Sequence, residues 1–561
     1  MKISTCITKY LEQDNVEYIF GIPAGTCSSL WDSLNDTSIK PIITKNEAGA
    51  LYSATNYADG SEKLGVSILA GGVGINNAIN GIADAYRRKL PVLIISGFVS
   101  RWQIGKGAIQ ELNTEDIVKP ITKFSKTVIN PDDVLCTIKN AIEIALTPPY
   151  GPVHVSIPID VQMSNILNTD AYEFIKSSIT DRYKLSDMAS LNYTKKTLLK
   201  AVDLINISKS GLILVGRGCK NLGNKVMYLS EKLEWPIVTT PEGKGVIPTS
   251  FKYNLGSYGF SGSDLGVKYI ENEDIDCVLI LGTSLGESAT RNYNNVLIKD
   301  RKVIHIDWDE SELNKVFKVD LAINYSLNEA LDLLEADCFK KYTECVIDNS
   351  ILNSPYVKGS HTCLSTRLFL EKLPKILPEK YHLVCDIGEF MNFVFKYLPI
   401  SDKSKFDISI NYGAMGIAVG GAVGTSLANK EIKTVVIVGD GAFFMNGTEI
   451  LTAKEYNLPI VYFVINNAML GYVEHGHKYL FDRKLEGLTQ ERVSIKAIAE
   501  AMGIKALTVT DLTELDMCKE LIKTTNGPLV VELINDGSEV PAVADRFKAL
   551  NNERVNKEVS K

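Results

Sequence analysis

Two short polar clusters follow apolar segments in the last third of the chain. Gly439-Asp440-Gly441 comes after residues 434–438, and Asn466-Asn467 comes after residues 460–465. The 24 residues between the clusters fit one helix and the return strand of a βαβ unit, which brings both clusters to one edge of a parallel sheet. Carboxylate and amide oxygens suit a hard divalent cation that holds a diphosphate, and glycines let the main chain approach phosphates. A tight turn explains either cluster alone, but the pair at this spacing favours a metal–diphosphate site.

The sequence around these clusters resembles that of a known enzyme family. Residues 439–473, GDGAFFMNGTEILTAKEYNLPIVYFVINNAMLGYV, resemble the acetolactate synthase branch of the thiamine-diphosphate-dependent enzymes, and the resemblance extends through nearly the whole chain. It implies thiamine diphosphate and Mg²⁺ as cofactors, with Asp440, Asn467 and the main chain at Met469 as metal ligands. It also implies cofactor contacts from Gly388, Glu389, Gly413, Gly439, Gly441, Ala442, Gly471 and Tyr472.

Two further positions near the carboxyl end follow from the same resemblance. Met415, in the segment Asn411-Tyr-Gly-Ala-Met-Gly, stands where the family places a bulky apolar residue that bends the cofactor. Phe390 departs from the family pattern, because a histidine often follows the polar residue of the Asp386-Ile-Gly-Glu loop. One phosphate contact of the family is therefore not expected here.

The amino-terminal third supplies a carboxylate. Glu47 begins a predicted helix that runs through Tyr57, and on residue type alone it is a first-turn glutamate stabilised by the helix dipole. The resemblance implies a different role, in which Glu47 hydrogen-bonds the aminopyrimidine ring and assists proton removal. It also implies that Pro23, Gly72 and Asn77 lie in active-site turns.

The residues that decide the reaction type differ from those of several relatives. No histidine precedes position 154, whereas pyruvate-decarboxylase-like enzymes carry a pair in the first domain. Gln110 and Lys123 resemble acetolactate synthase positions near the cofactor and along the substrate channel, although solvated surface positions would explain both. Gly476 replaces the tryptophan that selects the acceptor, which predicts an enlarged or reshaped pocket. Glu474 and His475 add ionisable groups that could act in catalysis.

The resemblance implies decarboxylation of a 2-oxo acid, with pyruvate favoured, and transfer of its acyl unit to a carbonyl acceptor. The acceptor is open between a second 2-oxo acid and another carbonyl compound such as a keto sugar. One alternative is a decarboxylase that releases an aldehyde, and another is a catalytically silent cofactor-binding paralogue. The family implies a homodimer at minimum, and whether FAD binds the central domain is undecided.

These residues require a scaffold of strands and helices. Continuous apolar runs alternate with helix-like stretches, which predicts doubly wound α/β domains with parallel sheets. The predicted strands are residues 65–70, 92–96, 153–158, 212–215, 237–240, 278–282, 303–306, 383–385, 434–438, 460–465 and 529–533. Polar intervals at 165–192 and 343–361 divide the chain into a pyrimidine-binding domain (1–165), a central Rossmann-like domain (190–342) and a diphosphate-binding domain (360–545).

Composition narrows the possible partners. The chain has 561 residues, a formal charge of −7 and no basic run, so neither nucleic acid nor an anionic membrane is an expected partner. No apolar stretch approaches the roughly 20 residues of a membrane span. The ten scattered cysteines and the acidic opening segment predict reduced thiols in a cytoplasmic enzyme.

Overall fold

Three parallel β-sheets form the framework of the protein. The computed structural model describes residues 1–176, 191–341, 364–542, 547–548 and 550–551. Each sheet has six strands, and every strand pair within it is parallel. The predicted fold class, three α/β domains with parallel sheets, is confirmed.

The strands of each sheet come from one continuous stretch of chain. The first sheet contains β1 (Tyr18–Gly21), β2 (Lys40–Ile43), β3 (Gly65–Leu69), β4 (Val92–Phe98), β5 (Phe124–Thr127) and β6 (Pro152–Pro158). The second contains β7 (Gly211–Val215), β8 (Ile237–Thr239), β9 (Asn254–Ser257), β10 (Cys277–Leu281), β11 (Lys302–Asp307) and β12 (Leu321–Asn324). The third contains β13 (Tyr381–Cys385), β14 (Lys405–Ile408), β15 (Lys433–Gly439), β16 (Ile460–Asn466), β17 (Lys505–Val509) and β18 (Leu529–Ile534).

Helices connect the strands and cover both faces of the sheets. Those of the first domain are α1 (Ile3–Gln13), α2 (Ser28–Ser33), α3 (Glu47–Ser61), α4 (Val73–Arg88), α5 (Thr114–Val118), α6 (Val134–Leu146), α7 (Ile159–Gln162) and α8 (Asn168–Lys176). The second domain contains α9 (Leu191–Ile207), α10 (Gly223–Leu233), α11 (Asp264–Asn272) and α12 (Leu327–Asp337). The third contains α13 (Thr366–Ile376), α14 (Phe390–Tyr397), α15 (Ile417–Ala428), α16 (Asp440–Asn446), α17 (Glu449–Glu455), α18 (Gly471–Phe481), α19 (Ile495–Ala501) and α20 (Leu515–Thr524).

The first and third sheets share one strand order. The first runs β2-β1-β3-β4-β6-β5 and the third runs β14-β13-β15-β16-β18-β17, whereas the second runs β12-β11-β10-β7-β8-β9. Central strands such as β4 and β6 are buried along their whole length, as continuous apolar runs require, while edge strands such as β2 and β17 are partly exposed.

The first and third domains share a hydrophobic core through helices α3 and α15. Glycines allow the close approach: a Cβ at Gly420 would lie 3.2 Å from the Cα of Gly49, and one at Gly424 would lie 2.7 Å from the main-chain carbon of Ser53. The Ser53 hydroxyl donates to the Gly420 carbonyl at 2.8 Å. Larger residues at these glycines would separate the two domains.

A buried charge cluster joins all three domains. Asp59 of the first domain pairs with Arg88 at 3.0 Å, with Arg217 at 2.5 Å and with Lys220 at 2.8 Å. Lys220 also reaches Asp407 of the third domain at 2.9 Å. Burial opposes ionisation of Asp59, but the neighbouring cations outweigh it and lower the Asp59 pKa to about 2. The cluster therefore fixes the central domain against both of its neighbours.

The predicted domain borders are only partly within the described residues. The first polar interval contains helix α8, which was not expected there, and residues 177–190 lie outside the described part of the chain. The same holds for residues 342–363, which include the whole of the second interval. Of the eight cysteines described, all are free and only Cys136 is exposed. No helix among the described residues is long and apolar enough to cross a membrane.

Candidate active site

A cavity of about 150 Å³ lies at the carboxyl ends of β13, β15 and β16. Ligands of open parallel sheets bind at this edge. Among the residues predicted from the sequence, its wall includes Gly388, Glu389, Met415, Gly439, Asp440, Gly441, Ala442, Asn467, Met469, Gly471 and Tyr472. Gly413 lies instead on an adjoining cleft. The structure thus gathers nearly all the third-domain residues of the prediction around one space.

Asp440 links the two polar clusters. Its Oδ1 accepts from the Gly441 amide at 2.8 Å, and its Oδ2 accepts from the Ala468 amide at 2.7 Å. The Asn467 side-chain oxygen accepts from the Met469 amide at 3.2 Å. Burial raises the pKa of the Asp440 carboxyl. A nearby cation would offset that burial cost and favour the carboxylate.

Glycines allow the main chain at Gly441 and Gly471 to pack closely against neighbouring residues of the cavity wall. A Cβ at Gly441 would lie 3.0 Å from a methyl of Leu470 and 3.5 Å from the terminal methyl of Met415. A Cβ at Gly471 would lie 3.2 Å from the carboxyl carbon of Glu389. Side chains at these two positions would therefore collide with other residues of the cavity wall and displace them.

Asp386 organises the turn that carries Met415. Its Oδ1 accepts from the amides of Ile387 at 2.7 Å and Gly416 at 2.8 Å, and its Oδ2 accepts from the amide of Ala418 at 2.8 Å. Burial raises the Asp386 pKa to about 6, although these amides favour the charged form. The sequence analysis took Asp386 only as the first residue of a loop, and its position directly after an apolar strand was the available signal.

Glu389 and His475 form a pair at the cavity. Glu389 Oε1 lies 2.5 Å from His475 Nδ1. Burial raises the pKa of Glu389, and the hydrogen bond that His475 makes to Glu389 raises the pKa of His475. Glu474 points elsewhere, because it accepts from the Thr489 hydroxyl at 3.1 Å and lies 3.7 Å from the Lys484 amine. Among the described residues, His475 hydrogen-bonds Glu389 of the cavity wall, whereas Glu474 acts on Glu389 through its charge, which also raises the Glu389 pKa.

Glu47 occupies the first position of helix α3. The preceding Asn46 caps the helix, since its side chain accepts from the Ala48 amide at 2.8 Å. Asn77 Nδ2 donates to Glu47 Oε2 at 3.1 Å, so two of the predicted residues are direct partners. The other oxygen of Glu47 would lie 3.6 Å from a Cβ at Gly74.

Glu449 of the third domain holds the chain that precedes Glu47. Its Oε1 accepts from the amides of Lys45 at 3.0 Å and Asn46 at 2.9 Å, and its Oε2 accepts from the Thr452 hydroxyl at 2.7 Å. Burial raises the pKa of the Glu449 carboxyl. No motif in the sequence singled out this residue, because its partners lie about 400 positions away.

The remaining first-domain residues cluster around a glycine turn. Gly72 has a φ of +59°, and a Cβ there would lie 3.1 Å from the carbonyl carbon of Gln110. Gln110 itself has a φ of +67°, and Pro23 is exposed in the turn after β1. Within the described residues, no first-domain side chain lines the cavity of the third domain. The expectation that the two modules meet across subunits stays a prediction.

Lys123 lies in a different environment from the predicted one. Its amine donates to the carbonyls of Ile144 at 2.5 Å and Thr147 at 2.6 Å, at the carboxyl end of α6. Cations stabilise this end of a helix. Burial lowers the pKa of Lys123. The geometry supports a helix-capping function, and no contact of Lys123 supports the substrate-channel role.

The space beside Gly476 is filled by an aromatic ring. A Cβ at Gly476 would lie 2.6 Å from a ring carbon of Phe547, and the ring of Phe547 lies 5.1 Å from that of Tyr472. The absent tryptophan therefore does not leave an open space at this position. Whether the acceptor pocket is enlarged or reshaped stays a prediction, and no motif in the sequence pointed to Phe547.

Family models match most of the chain. The N-terminal TPP binding domain of thiamine pyrophosphate enzymes matches residues 1–117, the central domain of these enzymes matches residues 198–334, and their C-terminal TPP binding domain matches residues 386–533. The cavity residues Asp440 and Asn467 lie within the last match. The chain belongs to the thiamine pyrophosphate enzymes, as the motifs predicted.

Within this class, the chain is similar to acetolactate synthase large subunits over nearly its whole length. The acetolactate synthase large subunit of Lactococcus lactis is 29% identical over 548 residues, covering 96% of this chain and 93% of the relative. The probable acetolactate synthase large subunit of Methanocaldococcus jannaschii is 28% identical over 556 residues, with the same coverage. Isozyme 1 of Escherichia coli is 26% identical over 540 residues, covering 95% and 94%.

Proposed function

We propose that this protein is a thiamine-diphosphate- and Mg²⁺-dependent carboligase. It decarboxylates a 2-oxo acid, for which pyruvate is the favoured donor, and transfers the acyl unit to a carbonyl acceptor. The observation that carries the proposal is the single cavity at which Asp440 and Asn467 meet on neighbouring strand ends. Full-length similarity to acetolactate synthase large subunits supports the same class of reaction.

The donor set of the cavity fits Mg²⁺ bound to a diphosphate. One carboxylate from Asp440, one amide oxygen from Asn467 and the main chain of Met469 leave positions for phosphate oxygens and water, as Mg²⁺ prefers. Buried Asp440 fits this role because a cation stabilises its ionised form. Gly441 and Gly471 leave room for the phosphates.

Each protein group has a separate task. When bound, thiamine diphosphate supplies the electron sink for decarboxylation. Asp440 and Asn467 would anchor its charged end, and Met415 would pack against the rings. The Glu47 carboxylate would exchange a proton with the aminopyrimidine, held in place by Asn77 and by the cap at Asn46. A homodimer is the minimum assembly of this proposal, because Glu47 does not line the cavity of its own chain.

A second candidate function is decarboxylation with release of an aldehyde. His475 favours it, because its hydrogen-bond partner Glu389 lies in the cavity wall and raises the pKa of His475. The raised pKa increases the protonated fraction of the imidazole. A protonated imidazole at this place could deliver the proton that completes an aldehyde.

Product analysis separates the two functions. Pyruvate labelled with ¹³C at C2 is incubated with the protein, thiamine diphosphate and Mg²⁺, alone and with carbonyl acceptors, and NMR identifies the products. Carboligation gives labelled acyloins, whereas the alternative gives acetaldehyde that His475→Gln diminishes. Asp440→Ala serves as the cofactor-site control. Absence of CO₂ release from a panel of 2-oxo acids, with cofactor bound, would contradict both functions.

A further inference from the structure

A second, larger space adjoins the cavity of the third domain. This cleft has a volume of about 640 Å³ and shares the wall residues Ile387, Met391, Met415 and Tyr472 with the smaller cavity. All three domains contribute to it. Its volume lies within the roughly 300–1,000 Å³ of pockets for drug-sized ligands, and a second pyruvate would leave most of it unfilled.

The cleft is basic. Arg87, Arg291 and Lys315 line it, against a single acidic side chain, Glu287. Arg87 is exposed on the last turn of α4 and makes no ion pair with any residue that the structure describes. Arg291 pairs with Glu271 at 2.7 Å and Lys315 pairs with Glu312 at 2.9 Å, both outside the cleft wall. Among the three cations of the described wall, Arg87 is therefore the one whose charge is available to an anionic ligand.

One wall of the cleft has an unusual backbone. Arg291, Asn292 and Tyr293 are consecutive and have φ values of +53°, +62° and +60°. Left-handed residues other than glycine are costly and occur singly as a rule. Here the Thr290 hydroxyl accepts from the Tyr293 amide at 3.0 Å and holds the turn. Strain of this kind concentrates at ligand clamps.

The part of the wall formed by Asn411 and Tyr412 is fixed by contacts between domains. Asn411 accepts from the Ser288 hydroxyl at 2.7 Å and donates to Glu242 at 2.7 Å. The Tyr412 hydroxyl donates to Asn80 of the first domain at 2.8 Å. The wall is therefore preformed, and a ligand bound between it and the basic side reaches Met415, where the two spaces meet.

We propose that this cleft is the acceptor site and that it takes a carbonyl compound with a phosphate or diphosphate group remote from the carbonyl. The inference rests on the proposed carboligase function and names its acceptor class. In the reaction the 2-oxo acid loses CO₂, a C–C bond forms between its carbonyl carbon and that of the acceptor, and the acceptor oxygen gains one proton from solvent. The phosphate lies on the basic side, and the carbonyl faces Met415 and Tyr472.

Binding measurements test the cleft without relying on turnover. Calorimetry on the protein loaded with thiamine diphosphate and Mg²⁺ compares fructose 6-phosphate with fructose, and glyceraldehyde 3-phosphate with glyceraldehyde. We expect each phosphorylated compound to bind at least about tenfold more tightly than its counterpart, as one charge-assisted contact provides. Arg87→Ala should remove roughly tenfold of this preference and leave the affinity for the unphosphorylated sugars unchanged.

Control variants and a second ligand complete the design. Lys268→Ala, an exposed cation on α11 away from the cleft, should keep the preference intact. Equal affinity for phosphorylated and unphosphorylated compounds would overturn the inference. So would inorganic phosphate that binds as tightly as the sugar phosphates, or FAD that binds stoichiometrically and blocks them. Pyruvate that couples only with itself would refute the acceptor class and leave the carboligase standing. Missing CO₂ release would refute the carboligase and, with it, the role of the cleft as an acceptor site.

Discussion

Replacement of Glu449 by alanine should weaken both the fold and the catalytic step, because this buried carboxylate holds the chain before Glu47. The variant leaves the amides of Lys45 and Asn46 without their acceptor. It also removes the contact between helix α17 of the third domain and the beginning of α3 in the first. Glu47 would then lose one of the restraints on its position.

The expected loss of stability follows from the two hydrogen bonds that the main-chain amides of Lys45 and Asn46 donate to Glu449. Each hydrogen bond to a charged acceptor contributes about 1.5–3 kcal/mol, so two of them give about 3–6 kcal/mol. Burying the carboxylate costs free energy, as the raised pKa of Glu449 indicates. The alanine variant no longer carries this cost, which offsets part of the loss. We expect the free energy of unfolding to fall by about 3 kcal/mol, measured from the midpoint of urea denaturation. Glu449→Gln keeps an acceptor and should lose about 1 kcal/mol.

The matched control is Glu455→Ala on the same helix. Glu455 pairs with the amine of Lys45 at 2.5 Å, and its side chain is 51% exposed, so its removal should change stability by less than about 1 kcal/mol. We also expect Glu449→Ala to lower kcat more than thiamine diphosphate affinity, since the diphosphate cavity does not include Glu449. Equal stability of the two alanine variants, or an unchanged kcat, would refute the reasoning.

Three further predictions concern the site itself. Glu47→Gln should retain cofactor affinity and lower kcat about hundredfold or more. Asp440→Ala should weaken Mg²⁺ and thiamine diphosphate binding in calorimetry. Weakened cofactor binding in Glu47→Gln with unchanged binding in Asp440→Ala would contradict both assignments. Asp386 has a folded-state pKa of about 6 against 3.8 ordinarily, so the folded state binds more protons and stability should fall as pH rises between these values. Urea midpoints should lose this slope in Asp386→Asn. Gly476→Ala should lower the free energy of unfolding by crowding the ring of Phe547. In a protein that already carries Phe547→Ala, the same substitution should cost little. If the effects of the two substitutions simply add in the double variant, the contact is contradicted.

Eleven of the twelve inner strands of the sheets were predicted from the sequence, and none of the six edge strands was. Every edge strand, β2, β5, β9, β12, β14 and β17, was absent from the prediction. Edge strands pair on one side only and are short, so they do not need the continuous apolar runs that identified the inner strands. Strand β1, the four residues YIFG, was also absent from the prediction although it is an inner strand.

The site was predictable where its residues follow strand ends and not where they depend on distant packing. Asp440 and Asn467 lie together because strand ends of a βαβ unit converge, which spacing alone reveals. The capping contacts of Lys123 and the ring of Phe547 against Gly476 depend on tertiary packing, which single-sequence reasoning does not provide. Glu449 was missed for the same reason.

The identical strand orders of the outer sheets are the arrangement that duplication of one ancestral domain produces. Helices α3 and α15 then occupy equivalent places, since each follows the second strand of its sheet, and they pack against each other. The glycine turn at Gly72 and the turn at Asp440 are equivalent as well, each after the third strand. Under the proposed function, one of these two similar halves would carry the base and the other the anchor for the same coenzyme.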